Sequence, residues 1–115
     1  MSDTSDDLWH SIKEGRSAQL DWFAEQTPVT TLATTLAAMA NTLGGMLLVG
    51  IVGPAGSLLG VRDTDSAVDR VLQAALAIDP PLIIPLPHVV NVRNHPIIVT
   101  QIPAGMPHVY AYDGR

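Results

Sequence analysis

The stretch that decides the fold runs from residue 27 to residue 61 and reads TPVTTLATTLAAMANTLGGMLLVGIVGPAGSLLGV. In its first half, apolar side chains recur every three or four residues, which places on one helical stripe Leu32, Leu36, Met39 and Leu43. The pattern predicts one helix over residues 27–43. Thr27 is its expected N-cap, and Pro28 suits the first helical position because the N–H that proline lacks has no partner there.

The second half of the stretch predicts two strands. Gly44 and Gly45 tolerate positive φ, so they are expected to close the helix in a left-handed cap. The aliphatic residues 46–52 then predict a buried strand, and a turn rich in glycine and proline leads to a second strand over residues 57–61.

The same residues carry a resemblance to a known family. The run AMANTLGGMLLVGI at residues 38–51, followed by a Pro-Ala-Gly turn and Leu-Leu-Gly-Val at 58–61, resembles the signature of Schlafen-type AlbA-like domains. The resemblance covers roughly residues 13–115 and implies an α+β domain that binds DNA in a transcriptional regulator of bacterial or archaeal type. The signature residues on this chain are Asn41, Thr42, Gly44, Gly45, Gly50 and Gly60.

Composition restricts the class of protein. A chain of 115 residues, 47% of them hydrophobic and 4% aromatic, suits one domain with an aliphatic core. The absence of cysteine excludes a catalytic thiol, a disulfide framework and a cysteine zinc site. The amino terminus is acidic and polar, unlike a secretory signal, and glycines interrupt the apolar region. We therefore expect a cytoplasmic protein that does not enter the membrane.

The remaining segments predict the rest of an α+β domain. Residues 1–14 are expected to form a tail and a short helix from Asp6 to Glu14, and residues 15–115 the domain itself. Strands are predicted over 17–23, 88–92 and 96–102, and a second helix capped by Asp65 or Ser66 ends before the prolines at 80 and 81. This order predicts a two-layer sandwich in which the helices pack on one face of a mixed, mostly antiparallel sheet.

The carboxyl end predicts one more strand. It begins at Tyr110 and reaches Asp-Gly-Arg at residues 113–115, a sequence typical of a hairpin turn. A strand that enters a turn without a return partner leaves an unpaired edge, so we expect the domain to be truncated there and further carboxyl-terminal domains to follow.

The candidate residues for nucleic-acid contacts are mainly arginines, although a net charge of −5 opposes a strongly basic module. The candidates are Arg16, Arg62, Arg70, Arg93 and Arg115, together with the polar pair Asn41 and Thr42. Two plainer interpretations remain open. The arginines are solvated surface residues in the first, and Asn41 and Thr42 only cap the helix and turn the chain in the second.

Motifs for catalysis and cofactors are weak. The glycines lack the spacing and the following Gly-Lys-Ser/Thr of a phosphate-binding loop, and the histidines have no i,i+4 pair, so no cofactor and no metal is predicted. Some Schlafen proteins cut RNA with three carboxylates and a lysine. In this resemblance, two of the carboxylate positions fall on Arg16 and Asp21, and the lysine position falls on Phe23. Because only Asp21 keeps the required chemistry, no catalytic residue and no enzyme activity is predicted.

The first hypothesis is a non-catalytic domain of a transcriptional regulator that binds DNA or RNA. The alternative is a protein-interaction or dimerisation module, favoured by the acidic charge, by the scarcity of lysine and aromatic residues, and by an apolar strand edge near the carboxyl end that could pair with a second copy. A third hypothesis, a metal-dependent ribonuclease, requires Glu14, Asp21 and Asp63 to meet within a few ångströms.

Overall fold

The computed structural model describes residues 4–104 and 110–111. The elements of the described chain are α1 (Thr4–Glu14), β1 (Leu20–Phe23), α2 (Val29–Ala40), β2 (Gly45–Val49), β3 (Ile51–Val52), β4 (Ser57–Leu58), α3 (Thr64–Leu76), β5 (His88–Val92) and β6 (His95–Ile102). In this part of the chain, no helix has the length and apolar character that crossing a bilayer requires.

The main sheet has the strand order β1-β2-β6-β5, while β3 and β4 form a separate antiparallel pair. Strands β1 and β2 run parallel, and the other two pairings of the main sheet are antiparallel. Leu48 on β2 lies opposite Trp22 on one side and Val99 on the other, which fixes the register at the centre of the sheet. The predicted α+β class and the mixed, mostly antiparallel sheet are confirmed.

Helices cover both faces of the sheet, whereas the sequence pattern placed them on one. Helices α2 and α3 bury Leu36 and Val71 against the face that carries Leu47. Helix α1 buries Ile12 against the face that carries Leu48. The reason is the alternation of a strand: Leu47 and Leu48 point to opposite faces, and each is fully buried, so each face needs a cover.

The N-caps of α2 and α3 differ from the predicted ones. Pro28, which makes no side-chain cap bond, is the N-cap of α2, so the prediction of Thr27 was wrong. The Arg70 guanidinium donates to the backbone carbonyls of Glu25 and Thr27 and holds this loop in place. Helix α3 is capped by Asp63, whose carboxylate accepts the Ser66 N–H at 3.0 Å, and not by Asp65 or Ser66.

The predicted strand over residues 46–52 is two strands in different sheets. Gly50 has φ +115°, which turns the chain out of the main sheet after Val49. Its N–H still donates to the Phe23 carbonyl, while its carbonyl accepts the N–H groups of Leu59 and Gly60. The second predicted strand, 57–61, is shorter in the structure and comprises Ser57–Leu58, and the N–H groups of the next two residues donate to Gly50.

The β5–β6 hairpin agrees with the sequence pattern. Arg93 and Asn94 have φ values of +48° and +66°, as the two central residues of a type I′ turn require.

The first strand is shorter than predicted because Ser17 folds back onto Leu20, with a 2.9 Å bond from its N–H to the Leu20 carbonyl. At the other end of the chain, Ala111 pairs with Asp79 in an isolated bridge. The predicted strand beyond Ala111, including Arg115, lies outside the described residues.

Candidate nucleic-acid interface

Several connections meet at one end of the main sheet. Strands β1, β2 and β5 end there, and β6 begins there, because β1 and β2 are parallel and β6 is antiparallel to both of its neighbours. The Val61 N–H donates to the Pro96 carbonyl at 2.9 Å, which joins the segment before α3 to the start of β6. Arg62 and Arg93 therefore both lie at this end, on different connections.

Two cations from separate elements converge on one indole ring. Trp9 lies on α1, and Lys13, one turn later on the same helix, places its Nζ 4.3 Å from the centroid of the ring. Arg93, in the hairpin turn between β5 and β6, places its Cζ 4.5 Å from the same centroid. Both distances are within the range of a cation–π interaction. We call these three residues the Trp9 cluster.

The cations of the Trp9 cluster have no carboxylate partner in the described chain. Among those residues, the ion pair within 4.0 Å joins Arg16 and Asp21, and no other is present. Lys13 and Arg93 are both exposed. A π-face attracts a cation without neutralising its charge, so the cluster remains a local positive site that an anion can approach.

Arg16 is held by its own neighbourhood. Its Nε lies 3.0 Å from the Asp21 carboxylate, and its Nη2 donates to the Trp22 carbonyl at 3.1 Å. The guanidinium also lies 5.0 Å from the centroid of the Trp22 ring. Arg16 therefore offers less free charge to a ligand than its position in the sequence suggested.

In the described chain, the other arginines make no cation–π contact with Trp9. Arg62 is exposed and lines a groove with Glu25 and Gln26, and in the described chain its guanidinium makes no ion pair or ring contact. Arg70 donates to two backbone carbonyls, as described above, and serves the fold. Arg115, also a candidate, lies outside the described residues.

Asn41 holds the carboxyl-terminal segment through its side-chain amide. Its Nδ2 donates to the Tyr110 carbonyl at 2.8 Å, and its Oδ1 accepts the Tyr110 N–H at 2.7 Å. Tyr110 is buried in the core under α2 and α3. The Thr42 hydroxyl lies 3.1 Å from the carbonyls of Ala38 and Met39 in the last turn of α2, so both polar groups have partners inside the domain.

The signature glycines lie where backbone segments come close together. Gly45 adjoins the backbone of Gln19, and Gly60 adjoins the ring of Pro96. Gly44 follows the end of α2, where its N–H donates to the Met39 carbonyl at 2.8 Å, and Gly50 turns the chain between the two sheets. Their surroundings are backbone and core side chains of the domain itself.

Two of the three acidic residues required for a nuclease have other partners. The Asp21 carboxylate accepts the Trp22 N–H and pairs with Arg16, and the Asp63 carboxylate caps α3. Within residues 4–104 and 110–111, no group of three or more histidine or acidic side chains is placed to hold a metal ion. The ribonuclease hypothesis, which required Glu14, Asp21 and Asp63 to meet, gains no support from this geometry.

Sequence reasoning missed two members of the site, Trp9 and Lys13. Their i,i+4 spacing on a predicted helix was a usable signal, because residues four apart lie on the same side of a helix. The third member, Arg93, was a candidate only as an isolated turn residue. Its approach to Trp9 depends on the packing of α1 across β5, which no local pattern reveals.

Known structures share this fold at low sequence identity. The N-terminal domain of a RecG-related protein from Nitrosomonas europaea, whose name relates it to an ATP-dependent DNA helicase, is 18% identical with a TM-score of 0.79, over 99% of this chain and 84% of that one. The DIP2311 protein from Corynebacterium diphtheriae is 19% identical with a TM-score of 0.60, over 91% of this chain and 23% of that one.

No curated protein sequence matches the chain. The family model described as "Schlafen, AlbA_2" matches residues 10–115, which includes the helix–Gly-Gly–strand signature and nearly all of the described elements. The chain therefore belongs to the Schlafen AlbA_2 family.

Proposed function

We propose that this chain is a non-catalytic nucleic-acid-binding domain of a transcriptional regulator. The observation that carries the proposal is the convergence of Lys13 and Arg93 on Trp9 without a carboxylate partner in the described chain. Exposed lysine and arginine side chains supply most of the affinity of proteins for nucleic acids, through contacts with phosphates. Family membership and the fold shared with a RecG-related protein support the same class of ligand.

The acidic net charge does not oppose a local phosphate site. Asp6 and Asp7 lie in the first turn of α1, and Lys13 lies in its last turn. Asp7 and Lys13 are thus separated by about 9 Å along the helix axis, which is close to the screening length at physiological salt.

The absence of catalysis is the second part of the proposal. In the described chain, Asp21 pairs with Arg16 and Asp63 caps the N-terminus of α3, and no group of three or more histidine or acidic side chains is placed to hold a metal ion. Metal-assisted phosphoryl transfer requires carboxylates that converge on the metal. The proposal therefore assigns the domain to binding alone.

The first prediction concerns the salt dependence of binding. Labelled duplex DNA and single-stranded RNA are titrated at two salt concentrations with the unmodified protein and with Lys13→Gln and Arg93→Gln. If each cation contacts one phosphate, each substitution weakens binding and lowers the slope of log K against log salt by about 1. Fluorescence anisotropy of the labelled strand measures both quantities.

The matched control is Arg62→Gln, which removes one positive charge at the same end of the sheet but outside the Trp9 cluster. It is expected to weaken binding less than either cluster substitution. An equal loss in all three variants would assign the effect to net charge and would contradict a defined interface. Failure of the unmodified protein to bind either strand would overturn the proposed function.

A second candidate function, a homodimerisation module, is favoured by the position of β5 at the edge of the main sheet in the part of the chain that the structure describes. This strand is the last in the main sheet, and Val89 on it is 43% exposed. Ile83 and Leu86, in the segment that leads into β5, are 73% and 71% exposed. An edge strand with apolar neighbours can pair with the same strand of a second copy.

Sedimentation equilibrium tests the dimer. If β5 pairs with its copy, the protein sediments as a dimer, and Val89→Lys, which places a charge on the edge strand, shifts it to the monomer. Thr34→Lys, on the exposed side of α2, is the control and should leave the mass unchanged. A monomer at all concentrations in the unmodified protein would eliminate this alternative.

A further inference from the structure

We propose that the indole of Trp9 is a platform that holds Lys13 and Arg93 against a phosphodiester backbone, and that it does not stack on a base. This inference rests on the proposed function, because it specifies which part of a nucleic acid the Trp9 cluster contacts. It assigns to the site a ligand class, the phosphates of DNA or RNA, and predicts recognition that is independent of base identity.

The first argument is the occupancy of the ring. The Lys13 Nζ and the Arg93 Cζ lie 4.3 Å and 4.5 Å from the ring centroid. A base that stacks on the indole needs the ring surface that these cations cover, so it would have to displace a favourable cation–π contact. Proteins that bind single strands by stacking instead present open aromatic faces.

The second argument concerns the two charges themselves. Because Nζ and Cζ each lie within 4.5 Å of the ring centroid, the two cations are separated by at most about 9 Å. The lysine can therefore serve as a point charge for one phosphate of a strand, while the guanidinium donates to a neighbouring phosphate of the same strand.

The third argument is the burial of the other aromatic rings of the described chain. Trp22 is fully buried and donates its indole N–H to the Gly53 carbonyl, and Tyr110 is 3% exposed. Phe23 is half-buried and packs against the core under α2 and α3. In residues 4–104 and 110–111, these rings do not form a second stacking surface beside Trp9.

The test compares two strands that differ only in their bases. One is a labelled oligothymidylate, and the other is an abasic strand with the same length and phosphate number. We expect the two strands to bind the unmodified protein with equal affinity, and an RNA strand of the same length to bind equally well. If a base stacks on Trp9, the abasic strand binds about fivefold more weakly or worse, which would overturn the inference and leave the proposed function in place.

Trp9→Leu supplies a second, independent readout, since it keeps both charges and removes the platform. The substitution is expected to lower the affinity for both strands to the same extent, by about threefold. Circular dichroism checks that the variant is folded. A loss confined to the oligothymidylate would identify stacking and contradict the inference. The absence of binding to every strand would overturn the inference and the proposed function together, which distinguishes that case from the failure of the inference alone.

Discussion

Gly44→Ala is expected to lower the free energy of unfolding by about 3 kcal/mol or more, because two penalties add at this position. Gly44 has φ +73°, which costs an L-residue about 1–2 kcal/mol. A β-carbon at Gly44 would also lie 2.4 Å from the Ile102 carbonyl oxygen and 2.8 Å from the Ala104 N. These are backbone atoms, so the clash is relieved only if α2 and the end of β6 move apart. Urea denaturation followed by circular dichroism measures the loss.

Gly53→Ala is the matched control for this prediction. Gly53 has φ +76°, almost the same as Gly44, but a β-carbon there would meet nothing within 4 Å. The control therefore measures only the cost of positive φ for an L-residue, which is expected to be about 1–2 kcal/mol. If the two variants lose the same stability, the close approach of Gly44 to β6 contributes nothing, and the structural account of this signature residue is wrong.

Asn41→Ala is expected to destabilise the domain by about 2 kcal/mol, because it removes both hydrogen bonds between the Asn41 amide and the Tyr110 backbone. Asn41→Asp should cost at least as much. The carboxylate can still accept the Tyr110 N–H, but it replaces the donor to the Tyr110 carbonyl with an oxygen, so two acceptors face each other. Thermal and urea unfolding of the three proteins measure these differences.

The same variants separate two roles for Asn41, holding the chain and contacting a nucleic acid. Thr42→Ala is the control, since it removes only a hydroxyl that donates to carbonyls in the last turn of α2, and its expected cost is below about 0.5 kcal/mol. At a temperature where all are folded, Asn41→Ala should bind duplex DNA as the unmodified protein does. Weakened binding by folded Asn41→Ala would show that the amide also serves the ligand.

Local patterns were sufficient where the required conformation depends on neighbouring residues. The Asn-containing turn between β5 and β6 was predicted, because two central residues with positive φ suit the twist of a hairpin. The body of α2 was also predicted, since the spacing of Leu32 and Leu36 marks the face that the structure buries. The family signature followed from the same stretch, and the match over residues 10–115 confirms it.

Long-range contacts decided the boundaries. Val49 and Ile51 look like one strand in the sequence, but Gly50 between them sends Ile51 into a second sheet. Thr27 looks like an N-cap, but its carbonyl is bound by Arg70 from α3, and α2 begins later. Both places carry hydrogen bonds between residues far apart in the chain, and a propensity that depends on neighbours does not contain that information.

The candidate site, like the fold, was predicted only in part from the sequence. The sequence by itself determined the family, the α+β class, the helix–Gly-Gly–strand core and the exposed position of Arg93 in a turn. Only the tertiary structure decided that Arg93 meets Lys13 on the ring of Trp9, while Arg16 and Arg70 are held by partners inside the domain. The physical reason is that a residue pattern determines which side chains are exposed, whereas their convergence depends on how α1 and the hairpin pack across the sheet.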